Sequence, residues 1–254
     1  MVDTHTHIYL PEFDADRAEV VEVAWAAGVR QCWLPAIDEM SLGPMSRLSE
    51  AYPGRFVQFA GLHPTELKPD WRPQLAALEK ALFHTDIYQG IGEIGLDFYW
   101  DASRRDEQLE VLRIQLDWAV ALDRPVLLHV RSANDEMMQV VREYYGRGLR
   151  GVFHCYSGTL EQARELVSHG FLLGVNGSIT YKKSAQAAFL RELPLECLLT
   201  ETDAPYLSPV PLRGRRNEPA NVRLVVEFLA RLYGKPAGEV DAVTSENAAR
   251  LLLK

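Results

Sequence analysis

Short apolar segments alternate with longer amphipathic ones from one end of the chain to the other. In the longer segments apolar residues recur with a helical period, as before Gly28, around Leu112 and around Val226. Eight short segments rich in aliphatic and β-branched residues predict strands: Val2–His7, Gln31–Ala36, Phe56–Leu62, Ile87–Glu93, Pro125–Val130, Gly151–His154, Phe171–Val175 and Cys197–Glu201. The pattern therefore predicts strands and helices in strict alternation.

Alternating strands and helices are typical of parallel sheets whose strands are joined by helical crossovers. Eight such units within 254 residues predict an α/β fold, a single (β/α)8 TIM barrel. An open, doubly wound sheet is the alternative architecture. Because no linker, low-complexity tract or charge block interrupts the alternation, we expect residues 1–254 to form a single domain. The last segment, Ser245–Leu253, predicts a helix on the outside of the barrel, with Ser245 or Thr244 as its N-cap.

Composition narrows the classes of function. Twenty-seven Lys and Arg against 35 Asp and Glu give a net charge of −8, the wrong sign for a protein that coats nucleic acid with a basic face. A bound divalent cation could still attract a polyanion locally. The chain has no membrane-length apolar run, no signal-peptide pattern and no CxxC pair among its three cysteines. We therefore expect a cytoplasmic protein without membrane association and with reduced, packed thiols.

Polar side chains with metal-binding capacity follow most of the predicted strands. Carboxyl ends of parallel strands form the ligand-binding edge of such folds, so these side chains should share one site. They lie at the ends of the predicted strands: His5 and His7 end the first, His63 directly follows the third, Glu93 ends the fourth, His129 the fifth and His154 the sixth, and Glu201 with Asp203 ends the eighth.

Their spacing favours a common metal site. His5 and His7 are two residues apart in an extended segment, so both imidazoles face the same side. Glu93 is surrounded by Gly90, Gly92 and Gly95, which should let the backbone approach a ligand and leave room around a carboxylate able to bridge two cations.

Six of these residues are expected as ligands: His5, His7, Glu93, His129, His154 and Asp203. Their four imidazoles and two carboxylates, without sulfur, suit Zn, Mn, Co or Mg. Six ligands exceed the need of one tetrahedral ion, so two divalent ions are expected, one activating water and the other polarising the scissile group. We expect Asp203 to be both a ligand and the proton acceptor. Glu201 either orients an imidazole or forms a salt bridge within the barrel, and the same alternatives apply to Asp3.

Aromatic and basic residues outside the strands are less informative. Trp71, Trp100 and Trp118 are expected to pack in the interior and not to stack on nucleic-acid bases. Loop cations after strands seven and eight are either solvated or in contact with phosphate; they are Lys182, Lys183, Arg213, Arg215 and Arg216.

Several motifs, in this order along the chain, resemble the TatD family of metal-dependent deoxyribonucleases, within the amidohydrolase-like barrels. They are Asp3–His7 (DTHTH), Gly61–Pro64 (GLHP), Gly92–Asp97 (GEIGLD), Leu128–Arg131 (LHVR), His154–Gly158 (HCYSG), Glu201–Pro205 (ETDAP) and Arg216–Pro219 (RNEP). Two positions differ from the family pattern, since Thr65 stands where many members have a second histidine and Tyr156 where phenylalanine is common.

The resemblance implies a (β/α)8 barrel that hydrolyses DNA phosphodiesters, often from the 3′ end. It also implies that His63 and Arg131 face the substrate phosphate. The family's metal ligands correspond to His5, His7, Glu93, His129, His154 and Asp203.

We therefore expect a divalent-metal-dependent deoxyribonuclease with Glu93 and Asp203 as catalytic residues. Its substrate is expected to be single-stranded DNA, contacted by His63, Arg131 and Arg215, with no obligate protein partner. An amidohydrolase-type enzyme acting on a small-molecule ester, lactone or amide is the second hypothesis, because related barrels use the same metals for such reactions. A non-enzymatic metal-binding protein is the third.

Overall fold

Eight parallel strands follow one another around the molecule in chain order. The computed structural model describes residues 1–253, and each strand pairs with the next from β1 to β8. The Thr4 amide donates to the Thr200 carbonyl at 3.1 Å and Thr6 bridges Ala204, which joins the last strand to the first. The strands are β1 Val2–Asp3, β2 Gln31–Pro35, β3 Phe56–Ala60, β4 Tyr88–Asp97, β5 Val126–Arg131, β6 Gly151–Phe153, β7 Leu172–Val175 and β8 Leu198–Thr200. The predicted (β/α)8 barrel is confirmed.

Helices cover the outside of this sheet. They are α1 Arg17–Ala26, α2 Leu42–Ala51, α3 Arg72–His84, α4 Arg105–Leu122, α5 Asn134–Arg142, α6 Leu160–Ser168, α7 Val222–Tyr233 and α8 Ala237–Leu252. Between β7 and β8 the chain forms short 3-10 turns where the alternation predicted a helix.

The final helix packs on the outside of the barrel against β1 and β8, as predicted, but its predicted start is wrong. Helix α8 begins at Ala237, directly after Pro236. Thr244 lies inside it, and its hydroxyl donates to the Val240 carbonyl at 2.9 Å. The error arose because Pro236, at the N-cap position of α8, offers no side-chain cap, whereas Thr244 and Ser245 are residue types that commonly cap helices.

Strand β4 extends four residues beyond Glu93, its predicted end. The pairing register between β4 and β5 shifts between Ile91 and Ile94, so Glu93 lies within this irregularity. The expectation that the nearby glycines make room for a ligand is wrong. A Cβ at Gly92 would lie 2.8 Å from the Leu127 Cβ, and one at Gly95 would lie 1.9 Å from the His129 carbonyl oxygen. These glycines allow β4 to approach β5.

The strands lie within a continuous, mostly apolar core. Every residue of β3 is buried, as expected for a parallel strand covered on both faces. Trp33, Phe59, Ile91 and Ile94 are among the largest fully buried side chains. Buried polar side chains such as His5, His7, Glu93 and His154, in contrast, lie at or near the carboxyl ends of the strands, which makes this edge the place for a site.

The described part of the chain contains no helix with both the length and the apolar character that a membrane crossing requires. All three cysteines are free, and Cys32 and Cys197 are buried as predicted, whereas Cys155 is half-buried.

Candidate metal centre

Glu93 presents its two carboxylate oxygens to two different groups of imidazoles. Its Oε2 lies 3.0 Å from His5 Nε2 and 3.5 Å from His7 Nε2. Its Oε1 lies 3.0 Å from His129 Nδ1 and 3.6 Å from His63 Nε2. The side chain is 3 % exposed. A carboxylate in this position can bridge two cations.

The first group comes from the segment that follows β1. His5 and His7 are buried, and their Nε2 atoms lie 3.2 Å apart, on one side of the backbone as their spacing predicts. Asp203 Oδ1, from the turn after β8, lies 3.8 Å and 3.6 Å from these two nitrogens. Asp203 has φ of 61°, in the left-handed region that aspartate tolerates, so the chain turns sharply at this residue.

His154, after β6, lies between the two groups. Its ring stacks on that of His5 with centroids 3.5 Å apart. Its Nε2 lies 3.8 Å from Asp203 Oδ1 and 3.9 Å from Glu93 Oε1. All six residues predicted as metal ligands are therefore brought together at one edge of the barrel.

The donor atoms fit divalent metals. Three sets of donors lie within 4.8 Å of one another in the described residues: His5, His154 and Asp203; His5, His7 and Glu93; and His63, Glu93 and His129. Ligands bound at about 2.0–2.2 Å with angles near 90–110° would lie about 3.0–3.5 Å apart, close to the shorter separations observed here. The donors are nitrogen and oxygen atoms without thiolate, as predicted. His63 also has a donor position, although the expected set of six ligands did not include it.

Burial and nearby charges shift the pKa values of these groups. Burial lowers the pKa of His5 and of His63. Burial also disfavours the charged form of His154, but the Glu201 and Asp203 carboxylates outweigh it and raise the pKa of His154 to about 9. Although burial opposes ionisation of Glu93, the surrounding imidazoles hold its pKa well below the usual range. Without metal, the site is a buried network of carboxylates and partly protonated imidazoles.

Glu201 lies below the site, and the sequence left two possible roles open for it. Its Oε1 lies 2.9 Å from His154 Nδ1 and accepts the Cys155 amide at 2.7 Å. A Cβ at Gly174 would lie 2.4 Å from Glu201 Oε2, so only glycine there leaves room for this carboxylate. The geometry favours the imidazole-orienting alternative over a barrel salt bridge with Lys or Arg.

Asp3 does not contact an imidazole. It accepts the hydroxyl of Thr202 at 2.6 Å and the amide of Thr202 at 2.8 Å. Burial raises its pKa to about 8. Neither sequence alternative for Asp3 holds, because this carboxyl connects β1 to the segment after β8.

Asp97 is a residue of the site that sequence reasoning missed. Its Oδ2 lies 3.0 Å from His129 Nε2, while its Oδ1 accepts the amides of Tyr99 and Trp100 at 3.0 Å each. The sequence did offer one signal for this role, because Asp97 is the last residue of the GEIGLD motif that contains Glu93. Strand β4 had been predicted to end too early for Asp97 to be considered.

A cavity of about 780 Å³ opens above the centre. His63 and Arg131, the predicted phosphate contacts, line it. His63 Nδ1 is 2.7 Å from the hydroxyl of Thr65, so the residue that differs from the family pattern helps to orient this imidazole. Arg215 is exposed and is not among the lining residues, although the sequence predicted a substrate contact for it.

Two other expectations for loop residues are wrong. Trp100 is 68 % exposed and lines the cavity, because the turn after β4 carries it away from the core, whereas Trp71 and Trp118 are buried as predicted. Arg216 pairs with Asp16 at 2.6 Å and with Glu218 at 3.1 Å, so it is neither solvated nor free for phosphate.

Comparison with known proteins agrees with this geometry. The sequence profile of the family described as TatD related DNase matches residues 2–253. The chain belongs to this TatD family. It is 35% identical over 253 residues to the metal-dependent hydrolase YabD of Bacillus subtilis strain 168, with 99% of this chain and 98% of YabD covered.

Two further TatD relatives extend the comparison. The protein of Erwinia tasmaniensis named 3′-5′ ssDNA/RNA exonuclease TatD is 32% identical over 259 residues, covering 99% of each chain. The crystal structure of the TatD homolog YjjV from Escherichia coli K12 superposes with a TM-score of 0.92 at 32% identity, covering 99% of this chain and 97% of that chain. As a member of the TatD family, this chain is a metal-dependent hydrolase. The donors around Glu93 are its candidate metal-binding groups.

Proposed function

We propose that this TatD-family hydrolase is a deoxyribonuclease that removes nucleotides from the 3′ end of single-stranded DNA. The observation that carries the proposal is the position of Glu93, whose two oxygens face separate groups of donors, as a centre for two divalent ions requires. The exonuclease name of the Erwinia tasmaniensis relative, which covers this whole chain, supports the substrate class.

The chain's own residues fit the requirements of phosphodiester hydrolysis. Two divalent ions, Zn, Mn or Mg, would supply Lewis acidity and lower the pKa of water. His5, His7 and Asp203 with one Glu93 oxygen would hold the first, and His129 with the other oxygen the second. His154, which lies between the two groups, would complete the set.

Proton transfer is assigned to Asp203. Although burial disfavours its charged form, His154, His7 and His5 lower the pKa of this carboxyl, so it is ionised at neutral pH. Asp203 is therefore able to accept the proton of the attacking water at a carboxylate oxygen. The groups that face the substrate phosphate across the cavity are His63 Nε2 and the Arg131 guanidinium.

The test uses the purified full chain, loaded with Mg²⁺ or Mn²⁺ after its bound metal has been identified by elemental analysis. Single-stranded DNA labelled at its 5′ end should shorten one nucleotide at a time, and EDTA should stop the reaction. Glu93→Gln and Asp203→Asn should each lower the rate at least 100-fold, because each removes a negative donor. Glu50→Gln, at an exposed position on α2, is the matched control and should retain the wild-type rate.

The alternatives predict different results. Intact DNA together with hydrolysis of a lactone or amide panel would favour the small-molecule hydrolase. If the purified protein binds metal stoichiometrically but hydrolyses neither DNA nor the lactones and amides, a non-enzymatic metal-binding protein is favoured. Activity of the isolated chain also tests our proposal that no protein partner is needed. We further propose that residues 1–254 form one domain. A cytoplasmic site of action remains part of the proposal.

A further inference from the structure

Two large aromatic side chains stand exposed on opposite sides of the cavity. Trp100 follows β4 and is 68 % exposed, and Tyr206 follows β8 and is 51 % exposed. Both line the cavity above the metal centre. Strands four positions apart in a closed ring of eight lie across the axis from one another, so these rings flank the opening. Exposed apolar groups at the mouth of a site are typical of ligand contacts.

The turn that carries Trp100 is fixed relative to the metal centre. The Asp97 carboxylate accepts the amides of Tyr99 and Trp100 with one oxygen and contacts His129 with the other, all at 3.0 Å. Gln108 completes the anchor, since its side chain accepts the Asp97 amide at 2.8 Å. The indole is therefore exposed on a backbone that is held in place, at a set distance from the candidate metal ligands.

The other wall is anchored in a similar way. The Tyr206 amide donates to the Asp203 carbonyl at 2.7 Å, and its ring meets that of His7 edge-on with centroids 6.4 Å apart. Trp100 thus follows Asp97, which contacts the candidate ligand His129, by three residues. Tyr206 likewise follows the candidate ligand Asp203 by three residues.

A free cation lies beside the first aromatic residue. The Arg131 guanidinium carbon is 3.9 Å from the ring centroid of Tyr99 and 5.5 Å from that of Trp100. Tyr99 and Trp100 meet at 86°, so neither ring covers the other face to face. Among residues 1–253, no carboxylate oxygen lies within 4.0 Å of this guanidinium, which leaves its charge for an anion of the substrate.

We infer that Trp100 and Tyr206 are base-stacking residues that hold the nucleobases on either side of the scissile phosphate, with Arg131 on the phosphate. The inference rests on the proposed nuclease function. Aromatic rings stack on any base, so this arrangement gives little sequence preference. It requires unpaired bases, because bases within a duplex already stack on their neighbours. The two rings would thus select single-stranded over duplex substrate.

The experiment compares two substrates of equal length and charge. One is an oligothymidylate, and the other carries abasic residues at its three 3′-terminal positions. The readout is the ratio of kcat/KM for the first to kcat/KM for the second. Trp100→Ala and Tyr206→Ala should each lower this ratio roughly 5- to 150-fold, the range for loss of one base stack. Trp100→Phe and Tyr206→Phe keep an aromatic face and should retain the ratio within about threefold.

Phe83→Ala is the matched control. Phe83 is a 45 % exposed aromatic residue at the end of α3, which leads into the amino end of β4, and its loss should not alter the ratio. If wild-type protein degrades oligothymidylate and the alanine variants keep its ratio, base stacking is overturned while the nuclease function stands. If wild-type protein leaves oligothymidylate intact, the proposed function itself fails, and the stacking inference fails with it.

Discussion

Two imidazoles of the centre, those of His129 and His154, are each positioned by a carboxylate. Asp97 contacts His129 Nε2, so that His129 Nδ1 faces Glu93. Glu201 contacts His154 Nδ1 in the same way, which leaves Nε2 toward Asp203. Such contacts fix the tautomer and the orientation of a metal-binding imidazole. Their effect should therefore be visible in metal affinity.

Glu201→Gln and Asp97→Asn should each lower the affinity for Mn²⁺ about 10- to 100-fold, the usual cost of losing an orienting carboxylate. Isothermal titration calorimetry of the metal-free protein measures this directly. Glu196→Gln, at an exposed position near β8, is the matched control and should bind Mn²⁺ as the wild type does. Unchanged affinity in both site variants would mean that the two carboxylates are only structural.

Metal binding should release protons. The pKa of His154 is raised to about 9 in the metal-free site, chiefly by Glu201 and Asp203 against the effect of burial, so this imidazole carries a proton at pH 7. A metal ion binds only the neutral imidazole, so the apparent affinity should rise with pH until about pH 9. Calorimetry in buffers with different heats of ionisation counts the protons released. A count of zero at pH 7 would contradict the assignment of His154 as a ligand.

Among the elements, strand β4 combines a role in the site with close packing of its backbone against a neighbouring strand. It contributes Glu93 and Asp97 to the site and packs closely against β5 at Gly92 and Gly95. The small residues thus serve the contact between strands, and the position of Glu93 depends on that contact. A side chain added at Gly92 or Gly95 should therefore lower the stability of the fold.

Gly95→Ala should destabilise the fold by about 3 kcal/mol or more, because its Cβ would meet the backbone of His129, which cannot move without shifting β5. Urea unfolding in EDTA measures the change without any contribution from metal. Gly238→Ala is the control, since no atom lies within 4 Å of its added Cβ in helix α8. Helix propensity predicts that this control is neutral or up to about 1 kcal/mol more stable. Equal stability of both variants would contradict this account of β4.

The pattern of apolar and polar residues located all eight strands but misplaced several boundaries. It detects strands such as β2 and β3 well, because their interiors are continuously buried. The prediction ended β4 early, at a polar residue that faces a site, and it started α8 late, at two residues that often cap helices but here lie inside one. It also predicted a helix between β7 and β8, where short 3-10 turns form.

At the scale of the whole molecule, the centre collects donors from widely separated parts of the barrel. They come from the ends of β1, β5, β6 and β8 and from within β4. An ion bound there would connect the first strand with the last and both with the opposite wall. Because the unfolded chain has no such arrangement, metal binding should add directly to the stability of the fold.

Removing metal should therefore lower the melting temperature. At a free metal concentration 100 times Kd, one site stabilises the native state by about 2.7 kcal/mol. For a chain of this size that corresponds to about 5–10 °C. Differential scanning calorimetry with Mn²⁺ or with EDTA measures the shift, and Glu93→Gln should abolish most of it. A melting temperature independent of metal in the wild type would contradict metal binding at this centre.

The sequence by itself determined the alternation of strands and helices, and from it the barrel, because short apolar segments and period-3.6 patterns are local properties of the chain. It also placed the histidines and carboxylates at strand ends. Only the tertiary structure decided that Asp97 orients His129, that Asp3 connects to Thr202, that Arg216 is paired and that Trp100 is exposed. Each of these depends on distances between residues far apart in sequence or on the course of a turn, and neither leaves a periodic signal in the sequence.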